Sequence, residues 1–189
     1  MTIPYTSIVL YEEKEDPARH FTIQDLSAMS RAELLAKIRA RLGASSAYRN
    51  QALVLVHGYN NGFDDGLYRT AQITYDLGFD GASFLYSWPS GSGIAKYLYD
   101  RDSAQQAEPF LTEFLEMVLN ESGAEKVNLV AHSMGNQLLL PVLRRIKDRN
   151  PAVARKINQI ILAAPDIDRT TFTFLAGEIR GVGRGITLY

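Results

Sequence analysis

The chain has no cysteine, which excludes disulfides, thiolate metal sites and a cysteine nucleophile. It has one tryptophan and only three histidines, so imidazole chemistry is limited to His20, His57 and His132. Charge imbalance is nearly absent: 20 Lys and Arg against 21 Asp and Glu leave a formal net charge of −1, with a pI near 6.3. That leaves no electrostatic footprint for nucleic acid or an anionic membrane. Long hydrophobic runs are missing as well. The N-terminal MTIPYTSIVLYEEKED has no basic leader region, and charges interrupt its apolar stretch far short of the roughly 20 residues of a membrane span. The expectation is a soluble, cytoplasmic protein that engages a small molecule, with neither nucleic acid nor membrane as partner.

What is present is apolar: 46% of 189 residues, enough for one domain over 1–189 that buries roughly 70% of the surface of its unfolded chain. There is no internal repeat and no low-complexity linker. Residues 52–56, 82–87, 126–131 and 157–164 are β-branched or aromatic, apolar on both parities and bounded by turn residues, which predicts buried strands. A fifth strand is expected at 185–189. Helical periodicity covers 63–77, about 103–120, and 135–148. In the second of these, Phe110, Leu111, Phe114, Leu115, Val118 and Leu119 make one apolar stripe, and Pro109 is expected to start or kink the main body of the helix. Strands alternating with helices predict a mostly parallel sheet covered on both faces, with ligands at the carboxyl ends of its strands. Upstream, 7–11 and 21–24 are candidates for two further strands. Ser30 and Glu33 form a capping-box pattern ahead of Leu34, Leu35, Ile38 and Leu42.

Three segments carry chemistry. Ala131-His132-Ser133-Met134-Gly135 matches the G-x-S-x-G nucleophile elbow, with alanine for the first glycine. A sharp strand-to-helix turn strains the serine, so its flanking positions must be small. Ser133 is then the nucleophile, and Met134 N–H, at a helix N-terminus, an oxyanion donor. The alternative is a small-residue turn in which Ser133 only caps a helix. His57-Gly58-Tyr59-Asn60 follows the strand LVLV: Gly58 permits a tight turn, and Tyr59 N–H is the second oxyanion candidate. His57 is read as a structural hydrogen-bonding residue at the pocket rather than a base, and His132 leaves the turn on another side from Ser133. Ala163-Ala164-Pro165-Asp166-Ile167-Asp168 ends the fourth strand. Asp166 is the candidate acid, against the alternative that Asp166 or Asp168 caps the following helix. Trp88 and Pro89, with the glycines after them, follow the second strand and are expected on the pocket rim, while Tyr97, Tyr99, Phe172 and Phe174 are candidates for an acyl pocket. No predicted strand leads into G-x-G-x-x-G or a P-loop, and GSG at 91–93 is too short. No cofactor and no metal are expected.

With these segments the chain resembles the bacterial α/β-hydrolases of unknown function, through LVLVHGYNNGFDDGLYRTAQ, FLYSWPS, YLYDRDSA, LVAHSMGN and ILAAPDID, over about 52–189. The resemblance implies an α/β-hydrolase fold, Ser133 as nucleophile and the HGYN turn as oxyanion loop; the leading expectation for the reaction is hydrolysis of a small carboxylic ester or thioester through a Ser133 acyl-enzyme. In such proteins the chain continues past the strand matching 185–189 to a loop aspartate and later a histidine, whereas this one stops at Tyr189. The resemblance thus implies a fold incomplete at its C-terminal end, a missing catalytic histidine, a rival to Asp166 as the acid, and weak or no activity. An uncovered strand at 185–189 invites self-association. The competing expectation is a non-catalytic binding module on the same fold.

Overall fold

The computed structural model describes residues 1–3, 16–91 and 96–189. Five strands, β1 (Gln51–Val56), β2 (Ala82–Tyr86), β3 (Lys126–His132), β4 (Ile157–Ala163) and β5 (Gly185–Leu188), form one sheet in the order β2-β1-β3-β4-β5. Every pairing is parallel. Parallel neighbours need crossovers rather than hairpins, and the chain supplies them with α1 (Arg31–Ala44), α2 (Phe63–Asp76), α3 (Tyr97–Glu121), α4 (Gly135–Arg149), α5 (Pro151–Ala154) and α6 (Arg169–Glu178).

Successive strand residues face opposite sides. Ala52, Val54 and Val56 of β1 are 0% exposed and join the main core with Leu129, Ala131, Ile160 and Leu162. The helices α1, α3, α4 and α6 cover that face through side chains such as Ile38, Leu111, Leu139 and Leu175. Leu53, Leu55 and Val130 look the other way and form a smaller cluster with Phe79, against which Ile73 of α2 packs. Helices therefore lie on both faces, and α2, through Ile73, packs on the second cluster beside Tyr48 and Leu85. Leu111 and Leu115 of α3 and Leu138, Leu139, Leu140 and Leu143 of α4 are 0% exposed. At about 1.5–3 kcal/mol for each fully buried side chain, these two helices dominate the core. No helix among the described residues is long and apolar enough to cross a membrane.

The expected elements recur with informative differences. Ser30 and Glu33 form the capping box, with Ser30 N–H donating to the Glu33 carboxylate at 2.8 Å. Helix α3 begins six residues ahead of the expected 103 and runs through Pro109. Proline removes one amide donor from a helix, yet Ala104, Ala107, Leu111 and Leu115 stay on one buried face across it, and that burial carries the helix onward. Residues 21–24 form no strand. Phe21 N–H donates to the Thr2 carbonyl at 2.9 Å and Thr2 and His20 make an isolated bridge, with no ladder among the described residues. The candidate strand at 7–11 lies outside the described residues.

One carboxylate ties the turn after α2 to the loop between α1 and β1. Asp80 accepts from Ala47 N (2.9 Å), Ser46 N (2.7 Å), Tyr48 N (2.8 Å) and the Ser45 hydroxyl (2.7 Å). These donors, the Ala47 amide first, hold its carboxyl far below the usual carboxylate range. A depressed native pKa gives stability that is complete above the unfolded value of about 3.9 and is lost as pH falls further. Asp80→Asn is therefore expected to lower the urea midpoint at pH 7, with the gap to wild type closing as both are titrated toward pH 3. A gap that stays constant with pH would contradict this role.

Candidate active site

Ser133 follows β3 with φ of 50°, in the left-handed region that side-chain-bearing residues seldom occupy. Its backbone is clamped. Its N–H donates to Ala163 O at 2.9 Å, and its carbonyl accepts from Asn136 N at 3.1 Å, Asn136 Nδ2 at 2.8 Å and Asp166 N at 3.3 Å. Helix α4 starts two residues later with Met134 as its N-cap, so the Met134 amide lies at the positive end of the helix dipole. The Met134 side chain is wholly buried in the core.

Two glycines explain how this turn meets the end of β1. A Cβ on Gly135 would stand 2.6 Å from His57 O and 2.8 Å from Val56 O. A Cβ on Gly58 would stand 2.9 Å from Ser133 Cβ and 2.8 Å from His132 O. The HGYN turn is thus pressed against the elbow. Asn60 completes that turn with φ of 54°.

His57 is built into this contact as a neutral group. Its Nε2 accepts from Trp88 N–H at 3.1 Å, so the proton is on Nδ1, which donates to Gly58 O at 2.9 Å. Burial pushes its pKa below the ordinary histidine value, consistent with a ring that stays uncharged. Trp88 corrects the expectation of a rim residue. It is 2% exposed, its ring stacks on His57 at 5.1 Å, and its Nε1–H donates to His57 O at 2.8 Å. An indole whose N–H finds a buried carbonyl belongs inside.

Asp100, which sequence reasoning passed over, ties together the loops around this turn. It is 0% exposed and accepts from the Ser90 hydroxyl and Gly91 N, each at 2.6 Å, and from Asn60 N at 3.4 Å. Within the YLYDRDSA segment Asp100, with Arg101 and Asp102 next to it, looks like part of a solvated helix face. Asn136 was also missed. It is fully buried, and its Oδ1 has no hydrogen-bond partner among the described residues.

On the other side of Ser133, the two aspartates after β4 divide the labour. Asp168 caps α6, accepting from Thr170 N at 3.0 Å and Thr171 N at 2.9 Å. Asp166 is half-buried and accepts from the Tyr97 hydroxyl at 2.8 Å on Oδ2, while Gln137 Nε2 holds its carbonyl. That bond to Asp166 raises the Tyr97 pKa. A cavity of about 570 Å³ opens here, lined by Tyr97, Arg101, Gln137, Asp166 and Thr171 among others. A second, of about 390 Å³, lies on the α2 side and is bounded by His57, Gly58, Arg69 and His132. The four aromatics read as an acyl pocket do not assemble. Tyr97 lines the first cavity, Tyr99 a separate groove with Pro89 and Phe110, Phe172 packs on the core and Phe174 is 59% exposed.

Among the described residues no histidine is seen bonded to Ser133 Oγ. His57 is committed as described, His20 Nδ1 accepts from Asp16 N at 3.1 Å in the N-terminal region, and the exposed His132 ring sits over Gly58 rather than on Ser133 Oγ. Among the described residues Ser133 Oγ makes no hydrogen bond.

The interlocked glycines give a direct test. Gly135→Ala is expected to destabilise the protein by about 1–3 kcal/mol or more, as overpacking against immovable backbone does. Gly177→Ala lies within α6, with nothing within 4 Å of the position its methyl would take, and is expected to stabilise by about 0.4–1 kcal/mol. Urea denaturation of both variants measures the contrast, and equal effects would dissolve the interlock.

The family described as "Alpha/beta hydrolase of unknown function (DUF900)" fits residues 30–189. A curated relative, the uncharacterized protein alr1448 of Nostoc sp., is 24% identical over 108 residues, which cover 47% of this chain and 28% of the relative. Among solved structures, a predicted CIB-like hydrolase from Thermoplasma acidophilum aligns with 18% identity and a TM-score of 0.46, over 77% of this chain and 63% of that one. The chain thus spans less than a third of that curated relative's length. With a parallel α/β sheet, a left-handed serine after its central strand and a family match over 30–189, the chain belongs to the DUF900 family of α/β-hydrolases.

Proposed function

We propose that this protein hydrolyses carboxylic esters or thioesters through an acyl-enzyme on Ser133. The supporting observation is the left-handed Ser133 at the N-terminus of α4, with Gly58 packed against its Cβ. In the proposed reaction Ser133 Oγ attacks the substrate carbonyl carbon, and the carbonyl oxygen takes the negative charge. Met134 N–H and Tyr59 N–H receive that oxyanion. The Ser133 proton passes through solvent to the leaving alcohol or thiol as the intermediate collapses to an acyl-serine, and water then releases the carboxylic acid and restores the serine hydroxyl. Asp166, with Oδ2 on Tyr97, is the candidate acid that orients an imidazole. That imidazole is none of His20, His57 and His132 as they stand, so residues 1–189 alone are expected to turn over slowly.

The missing imidazole contact favours a second reading, a non-catalytic binding module that retains the pocket. As a contact between copies, we propose β5, a sheet edge with Ile186 42% and Leu188 55% exposed.

The discriminating experiment treats the protein with a fluorophosphonate and reads the adduct by intact mass, alongside turnover of para-nitrophenyl acetate. A single adduct that disappears in Ser133→Ala supports the hydrolase. Loss of a triad histidine lowers kcat on the order of a millionfold, with roughly 10³–10⁴-fold over water remaining, so turnover is expected within that residual range. An adduct that survives Ser133→Ala, or none after prolonged exposure, would favour the binding module.

A further inference from the structure

We propose that Tyr97 is the specificity-determining residue of the Ser133 site, a ring laid across its mouth that admits slender acyl groups and rejects branched or aryl ones. The inference rests on Ser133 being the reacting residue, as proposed above. Its basis is the position of Tyr97 relative to strand order. β3, which ends at Ser133, lies between β1 and β4. Tyr59 belongs to the turn after β1, and Asp166 to the turn after β4. Tyr97 contacts both: its ring centroid is 5.5 Å from that of Tyr59, edge to face, and its hydroxyl donates to Asp166 Oδ2 at 2.8 Å. One side chain from the first turn of α3 therefore bridges the two turns that flank the elbow.

The width of the mouth makes this bridge consequential. Two strand spacings separate β1 from β4, about 10 Å in all, and an aromatic ring with its van der Waals envelope fills most of that width. A substrate must pass beside the ring or displace it. Displacement breaks a hydrogen bond to a carboxylate and the edge-to-face contact with Tyr59, while a slender acyl chain passes without breaking either. The ring also lines a cavity whose wall is mixed, with Arg101, Gln105 and Gln137 beside Pro141, Ile167 and Leu175.

The absence of cysteine gives a test that needs no catalytic base. In Ser133→Cys the only thiol of the chain stands at the elbow, and its alkylation rate reports access. Iodoacetamide serves as the slender reagent and N-(1-pyrenyl)maleimide as the bulky one. The ratio of the two rates cancels differences in thiol reactivity. Adding Tyr97→Ala is expected to raise the bulky-to-slender ratio by about tenfold or more. Tyr97→Phe keeps the ring but removes the bond to Asp166, so it should raise the ratio by a smaller factor, up to the roughly tenfold that one charged hydrogen bond is worth. Circular dichroism confirms folding of each variant, and Tyr97→Phe keeps the proposal exposed to failure if Tyr97→Ala does not fold. An unchanged ratio in the folded variants overturns the gate. If the ratio responds while native Ser133 takes up no fluorophosphonate, the hydrolase reading fails and the gate stands as a property of the pocket. If Ser133 is phosphonylated but the ratio is indifferent to Tyr97, the gate fails alone.

Discussion

Backbone pressed against backbone at two glycines is the constraint on which the rest of this site depends. Gly135 approaches the carbonyls of Val56 and His57 so closely that a methyl group would stand 2.8 Å and 2.6 Å from them, and Gly58 approaches Ser133 and His132 in the same manner. Protein interiors are close-packed and do not yield by such amounts cheaply. With both glycines in place, the end of β1 and the turn after β3 are locked in one register. The buried polar groups then arrange themselves around that lock: His57 stays neutral between Gly58 O and Trp88 N–H, and Asp100 gathers Asn60, Ser90 and Gly91.

Strain collects at the same place. Asn60, Ser133 and Ala164 all have positive φ, at 54°, 50° and 41°, and they follow β1, β3 and β4, three neighbours in the sheet. Asparagine tolerates this conformation, whereas serine and alanine do so at about 1–3 kcal/mol each. Hydrogen bonds enforce it. Ala163 O accepts Ser133 N at 2.9 Å, and Ala164 N donates to Tyr189 O at 2.7 Å, so the left-handed turns are linked strand to strand. Asn136 adds Nδ2 contacts to Ser133 O at 2.8 Å and Ala163 O at 3.4 Å, while its Oδ1 stays buried and unpartnered among the described residues. An unsatisfied buried acceptor costs roughly 1–3 kcal/mol. Its persistence beside Ser133 fits a turn whose shape matters more than its stability.

The frame of the sheet was legible because strands buried on both faces carry continuous apolar runs, as LVLV and NLVA do, and because the small residues at Ala131, Gly135 and Gly58 report close approach. Ser133 followed from that spacing. The start of α3 was not legible, since Tyr97, Leu98 and Tyr99 interrupt helical periodicity and the first apolar stripe begins at Ala104. Pro109 does not start the helix: proline weakens a helix locally, but the two buried segments it joins share one face, and α3 runs through it. Trp88 was misjudged because its sequence neighbours are turn formers, and only the fold reveals that its indole stacks on His57. Asp100 and Asn136 left no signal, because the sequence does not record which polar side chain near a turn is inside.

Commitment of the buried polar groups narrows where chemistry can happen. Those buried nearest the elbow are occupied with holding backbone: the His57 ring with Gly58 and Trp88, the Asp100 carboxylate with three loop donors, the Asn136 amide with two carbonyls. Withdrawing any of them to serve a substrate would open the lock and leave a desolvated partner behind, a loss that no transient contact offsets. The polar groups nearer solvent are Ser133 Oγ, the second oxygen of Asp166, the His132 ring and the Tyr97 hydroxyl that donates to Asp166. They follow β3 and β4 or sit on the first turn of α3, at the carboxyl end of a parallel sheet, where such folds present their ligands. Division into an inner set that fixes backbone and an outer set nearer solvent is what holds the strained Ser133 turn in one geometry.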